Sequence, residues 1–138
     1  MVAYNFQPQF EPAIVSLGKL GTIRATGARR HARPGEALEL YRGMRTRCCQ
    51  LIARASCSAN DRIRISFEHF VIKIGEHPNA VRLVAIDESR MQLLDNFAQG
   101  DGFADFAEMK GFWRRKHGPD DFDGRWIQWT PESVRVAL

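Results

Sequence analysis

The chain has 138 residues, 44% hydrophobic and 26% charged. It is long enough to bury a core without disulfide or metal staples, and its composition is that of a globular protein, which argues against disorder. The net charge of +4 is unevenly spread: residues 1–60 carry nine Lys and Arg against three Asp and Glu, whereas residues 61–138 carry eleven against thirteen. A single domain over residues 1–138 is expected.

The three cysteines, Cys48, Cys49 and Cys57, have no C-x-x-C spacing. They argue against a disulfide framework or a zinc ribbon and for free, mostly buried thiols in a reducing, cytoplasmic setting. No apolar run approaches the ~20 residues that span a bilayer, so no membrane partner is expected. The first ten residues lack the basic and apolar regions of a secretory signal. No His or Cys spacing suggests a metal, and no cofactor is expected.

In chain order, Tyr4-Asn5-Phe6 reads as a strand. Pro8 and Pro12 bracket a helix entry, and Phe10, Ile14 and Leu17 recur at helical spacing. Gly18 is the expected C-cap, and Thr22 to Ala25 the next strand. Arg29 to Gly35 reads as a polar loop ending in the turn signal Pro34-Gly35. Ala37 to Tyr41 alternates as a half-buried strand does. Arg47 to Cys57 is apolar and β-compatible, with the Cys48-Cys49 pair expected in a strand, one side chain facing in.

Arg62 to Glu68 is the clearest alternation, with Ile63, Ile65 and Phe67 on one face. Phe70 to Ile74 continues or re-starts that strand, with His69 expected in an apolar strand as a core or edge residue; a turn at 76–79 containing His77 and a strand from Val81 to Ile86 follow. Asp87, Glu88 and Ser89 offer N-caps for a helix carrying Met91, Leu94 and Phe97. Gly100-Asp101-Gly102 breaks that helix. Phe103, Phe106, Met109 and Trp113 share one face of the next, whose last turn carries Arg114, Arg115 and Lys116 and whose end is marked by Gly118-Pro119. Arg125 to Trp129 is the final strand, with Trp129 expected in the core. This order is not βαβ alternation. It predicts an α+β domain: a mixed, mostly antiparallel β-barrel with helices packed at its openings.

Lys19, Thr22 and Arg24 put a cation, a hydroxyl and a guanidinium at a helix-to-strand turn, where rigid elements preorganise them. Sixteen of the 20 basic residues are arginine, which suits planar contact with phosphate. Arg24, Arg29, Arg30, Arg33, Arg45 and Arg47 are the candidate nucleic-acid contacts, with His31 among them. Any single arginine is as readily a solvated charge. Trp113, Trp126 or Trp129 could stack a base.

Lys19, Thr22 and Arg24 match the last three defined positions of the pattern G-x-K-x-x-T-x-R, with Leu17 where that pattern has glycine. Pro34-Gly35-Glu36-Ala37-Leu38 is similar to a P-G-D-x-L element, Asp101-Gly102-Phe103 to a later E/D-G-F element, and Phe122 with Gly124 to Trp129 to a closing strand. On these residues the chain resembles the ASCH family of PUA-like β-barrels over nearly its whole length. The resemblance implies binding of RNA, a nucleotide or a modified nucleoside in a cleft beside the barrel. One branch of the family hydrolyses N4-acetylcytidine, releasing acetate, with the motif lysine and threonine and a downstream glutamate. Carried across, those roles fall on Lys19, Thr22 and Asp101, aspartate standing for glutamate. Thr22 would then be the nucleophile, Lys19 its activator and Asp101 the acid.

Overall fold

The computed structural model describes every residue except 77, 86, 88, 89, 119, 120 and 138. The elements are β1 (Val2–Phe6), a 3-10 turn (Pro8–Phe10), α1 (Glu11–Val15), β2 (Gly21–Ala25), β3 (Ala37–Arg42) and β4 (Gln50–Ser66), then β5 (Val71–Ile74), β6 (Val81–Val84), α2 (Met91–Gly100), α3 (Phe106–His117), β7 (Phe122–Trp129), a further 3-10 turn (Pro131–Ser133) and β8 (Arg135–Val136). No described helix is long and apolar enough to cross a membrane.

The 17-residue β4 organises the sheet. Its first half pairs antiparallel with β3, and β1 adds to β3 in parallel. Its second half pairs antiparallel with β7 on one edge and β5 on the other. A register shift between Cys57 and Ala59 marks where the pairing with β7 becomes irregular. The domain is therefore α+β with a mixed, mostly antiparallel sheet.

The expected closed barrel does not form. Among the described residues β2 pairs only with β7 and β6 only with β5, so both keep a free edge. After β6 the chain enters α2 and α3 instead of a strand that could join those edges.

The clearest alternation in the sequence does its expected work: Ile63, Ile65 and Phe67 are buried. They share one core with the apolar stripe of α3, Phe106, Met109 and Trp113, and Phe67 stacks on Phe106 at 5.4 Å. Each large side chain so buried contributes about 1.5–3 kcal/mol. Trp129 is in the core, as expected, and Trp126 is half-buried against Phe97.

Several local expectations shift. Only Cys57 of the three thiols is buried; Cys48 and Cys49 are both exposed, because they lie in a turn before β4 and not in a strand. Gly43 and Arg45 take positive φ there, and the Thr46 hydroxyl donates to Gly43 O at 2.6 Å, which curls the chain before pairing begins. His69 is exposed in the turn joining β4 to β5, neither in a core nor at a strand edge. The expected turn residue His77, the last residue of the expected strand to Ile86, the expected caps Glu88 and Ser89, and Pro119 lie outside the described residues. The N-cap of α2 is Arg90, which makes no side-chain capping bond. The cap of α3 is Asp105, whose carboxylate accepts from Glu108 N at 2.8 Å. The Asp-x-x-Glu spacing of residues 105 and 108 carries that signal in the sequence.

The turn that ends α1 is closed by Leu17, not Gly18, in the left-handed region at φ 68°. A residue with a Cβ pays about 1–2 kcal/mol there. Leu17 is 40% exposed, so little packing offsets that cost. Leu17→Gly is expected to raise stability by about 1 kcal/mol, read as a higher urea midpoint at unchanged slope. A lowered midpoint would contradict this account of the turn.

Candidate functional site

The turn after Leu17 delivers Lys19 beside the start of β2, its amide donating to Ala13 O at 2.9 Å. Thr22 and Arg24 follow two apart on β2, a spacing that puts both side chains on one face. Asp101 arrives from 82 positions away in sequence, at the C-cap of α2. Gly102 keeps this junction open: a Cβ there would lie 3.0 Å from the Phe10 ring and 3.3 Å from Lys19 Cδ.

The four polar residues line one cleft of about 310 Å³ with Asn5. Phe6, Phe10, Phe103, Phe112 and Trp113 supply aromatic walls, and Lys116 and His117 stand beside them. Lys19, Thr22 and Asp101 are buried polar residues at 3%, 3% and 6% exposure. Lys19 Nζ donates to Asp101 Oδ1 and to Asp101 O, each at 2.7 Å. It also lies 5.1 Å from the Phe10 ring centroid and 5.7 Å from that of Phe6.

Arg24 Nε donates to Thr22 Oγ1 at 2.9 Å, and Arg24 Nη2 donates to Asn5 O at 2.6 Å. The guanidinium sits 4.9 Å from the Phe6 ring and 5.2 Å from the Tyr4 ring. Because Thr22 Oγ1 accepts from Arg24, its own proton remains available to donate elsewhere.

Burial drives both members of the ion pair toward their neutral forms. Desolvation lowers the Lys19 pKa, against the pull of Asp101, and raises that of Asp101, against the pull of Lys19. A neutral lysine has two N–H groups and one lone pair. With both N–H groups on the two Asp101 oxygens, the lone pair is left to accept a proton.

A second cavity, of about 460 Å³, adjoins the first and shares Asn5, Arg24 and Ala25 with it. Arg29, Arg30 and Arg45 line it, so the structure brings four of the six candidate nucleic-acid arginines to one continuous surface. Arg33 and Arg47 are exposed and line neither cavity. His31 also lines the second cavity. Its Nε2 lies 2.8 Å from Ala25 O and its Nδ1 3.0 Å from the Tyr4 hydroxyl, which accepts from Ala32 N. These bonds tie the base of the arginine loop to β1 and β2.

Arg30 is held by Glu36, which also accepts from Arg33 N at 2.8 Å. The Arg30 guanidinium, with that backbone N–H, pulls the Glu36 pKa down to about 2, from an ordinary 4.5. The native carboxylate therefore stays ionised while the unfolded chain takes up a proton. This contribution to stability is fully present above pH 4.5 and is lost as pH falls toward about 2. Glu36→Gln is expected to lower the melting temperature at pH 7 and to converge with the parent as pH falls through that window. Parallel melting curves from pH 7 to pH 3 would contradict it.

The sequence motif names the polar floor of the first cleft but misses much of its wall. Asn5, Phe6 and Phe10 belong to the N-terminal strand and turn, and only the parallel pairing of β1 with β3 makes β1 part of the sheet that borders β2. Lys116 and His117 read in sequence as a helix end, which they are, yet that end faces the cleft. Among the described residues no group of three or more His, Cys, Asp and Glu could hold a metal ion.

No family model, no curated protein and no solved structure matches the chain.

Proposed function

We propose that the cleft binds a nucleotide or modified nucleoside, free or within RNA. The observation that carries this reading is the convergence of Lys19, Thr22, Arg24 and Asp101 on one aromatic-walled cleft. A volume of about 310 Å³ lies in the range of small-molecule sites. Aromatic walls suit a base, and the polar floor supplies donors and acceptors for its edge. The adjoining cavity carries Arg29, Arg30 and Arg45 beside the shared Arg24, where phosphate would sit.

The resemblance to ASCH domains gains one physical argument. The pattern's glycine falls on position 17, and that position takes φ 68°, the conformation that favours glycine. The free thiols of Cys48, Cys49 and Cys57 fit a reducing, cytoplasmic setting. Isothermal titration with cytidine, N4-acetylcytidine and their 5′-monophosphates tests the reading. Saturable binding of at least one, tighter for its phosphate, is expected; no heat from any of them at millimolar concentration would overturn it.

A second reading, hydrolysis of N4-acylated cytidine, is favoured by one observation: Lys19 Nζ, whose pKa burial lowers, is held on two Asp101 oxygens in the cleft that Thr22 also lines. In that reaction Lys19 takes the Thr22 hydroxyl proton as Oγ1 bonds to the acyl carbon. Asp101 in its protonated form, toward which burial shifts it, gives its proton to the departing exocyclic nitrogen as the C–N bond breaks, and recovers one from Lys19 across their hydrogen bond. Water then cleaves the acyl-threonine ester to release the acid and restore Thr22. Arg24, already donating to Thr22 Oγ1, stabilises negative charge developing there.

A further inference from the structure

A row of three cations crosses the sheet away from the cleft. Arg64 on β4 stands directly opposite Lys73 on β5, and Lys73 directly opposite Arg82 on β6. Directly opposed like charges destabilise a sheet. The row extends over two strand spacings, roughly 10 Å. Its nearest acid in register is Asp123 on β7, opposite Arg64. Asp123 is already bound by Arg62, whose Nη2 donates at 2.7 Å and Nε at 3.1 Å, and Arg62 pulls its pKa down. Arg64 Nε is buried without a hydrogen-bond partner. The three cations line a cavity of about 410 Å³ with Ser66 and His69, and Asp121 and Asp123 on one flank. Within the described residues, the repulsion among the three is offset on one flank only, where Asp123 faces Arg64.

We propose that Arg64, Lys73 and Arg82 bind successive phosphates of a single-stranded RNA whose neighbouring nucleotide occupies the cleft. The shape favours a chain over a compact anion. Three charges in a line, one per strand, match evenly spaced anions and do not converge on a point. Two of the three are arginines, whose planar forks suit phosphate oxygens. The two sites lie on either side of a buried aromatic layer. Phe122 lines the cationic cavity, and its ring lies 4.4 Å from Trp113 and 5.7 Å from His117 by centroids. Trp113 and His117 in turn line the cleft, beside Lys116. One aromatic layer therefore separates base site from phosphate row. The inference rests on the nucleoside reading of the cleft.

Titrating the protein with a fluorescent 12-nucleotide RNA over a range of salt tests it. Each phosphate contact on a single strand contributes about 0.7 to the slope of log K against log salt. The triple variant Arg64→Gln/Lys73→Gln/Arg82→Gln is expected to lose about 2 from that slope and to bind at least tenfold more weakly at low salt. Its affinity for mononucleotide should be unchanged, which also shows that it folds. Lys73→Gln alone, the mildest change, should lose about 0.7. An unchanged RNA slope in both variants overturns the row, as does competition by polyglutamate equal to that by RNA of the same length. If the cleft reading is the one that fails, no mononucleotide binds, while the slope difference between parent and variants still reports on the row.

Discussion

Replacing Asp101 with alanine is expected to destabilise the protein by about 3–5 kcal/mol, the cost of stranding one member of a buried ion pair. Lys19→Met should fall in the same range. Neither residue has solvent to turn to, at 3% and 6% exposure, and Lys19 makes both its hydrogen bonds to Asp101. The double variant Lys19→Met/Asp101→Ala should cost no more than the worse single change, because it leaves no unpaired charge behind. Urea unfolding of the four proteins at pH 7 provides the cycle. Two singles within about 0.5 kcal/mol of the parent, the range of ordinary surface substitutions, would contradict the buried pair.

The pH dependence sharpens this test. Burial already lowers the Lys19 pKa from an ordinary 10.5, and loss of the Asp101 carboxylate removes the main force raising it. Between the lowered native value and the unfolded one, the unfolded chain binds more protons than the native chain. Stability therefore rises with pH across that window. Asp101→Ala should accordingly recover part of its loss as pH is raised, and Lys19→Met should not.

The second large effect is at Thr22. Thr22→Val keeps the shape of a side chain that is 3% exposed and removes only the acceptor for Arg24 Nε. Its stability cost should be about 1–3 kcal/mol. If the cleft hydrolyses N4-acetylcytidine, loss of the nucleophile should lower turnover by about a thousandfold or more. The pH–rate profile of the parent should then rise through a limb below 10.5, set by the lowered Lys19 pKa. Chromatography of cytidine released over time reads both. Turnover retained in Thr22→Val would remove Thr22 as the nucleophile, and absence of turnover in the parent would leave binding as the function of the cleft. In that case Thr22→Val should weaken nucleoside binding by about tenfold, the worth of one good hydrogen bond.

Local patterns in this chain were legible where one side of a segment is buried. The alternation at Ile63, Ile65 and Phe67 and the helical stripe of Phe106, Met109 and Trp113 each state their own burial. The Lys19, Thr22 and Arg24 cluster was legible because its three members are close in sequence and lie on one turn and strand. Sheet closure was not legible, because it depends on the free edges of β2 and β6, far apart in the chain, and no local pattern records whether they meet. The length of β4 was hidden for a different reason. Asn60 and Asp61 interrupt its apolar alternation, so one strand reads as two, and Arg47 to Cys49, the end of the preceding turn, reads as strand because it runs into β-compatible residues. The cationic row is not legible in the sequence because Arg64, Lys73 and Arg82 become neighbours only through strand register.

The most direct test of the cleft is a crystal structure of the protein soaked with N4-acetylcytidine or its 5′-monophosphate. The account predicts the base between the aromatic walls, polar contacts to Thr22 and Arg24, and the phosphate of the monophosphate toward Arg29 and Arg45. Ligand bound elsewhere with this cleft vacant, at concentrations that saturate the protein in solution, would contradict it.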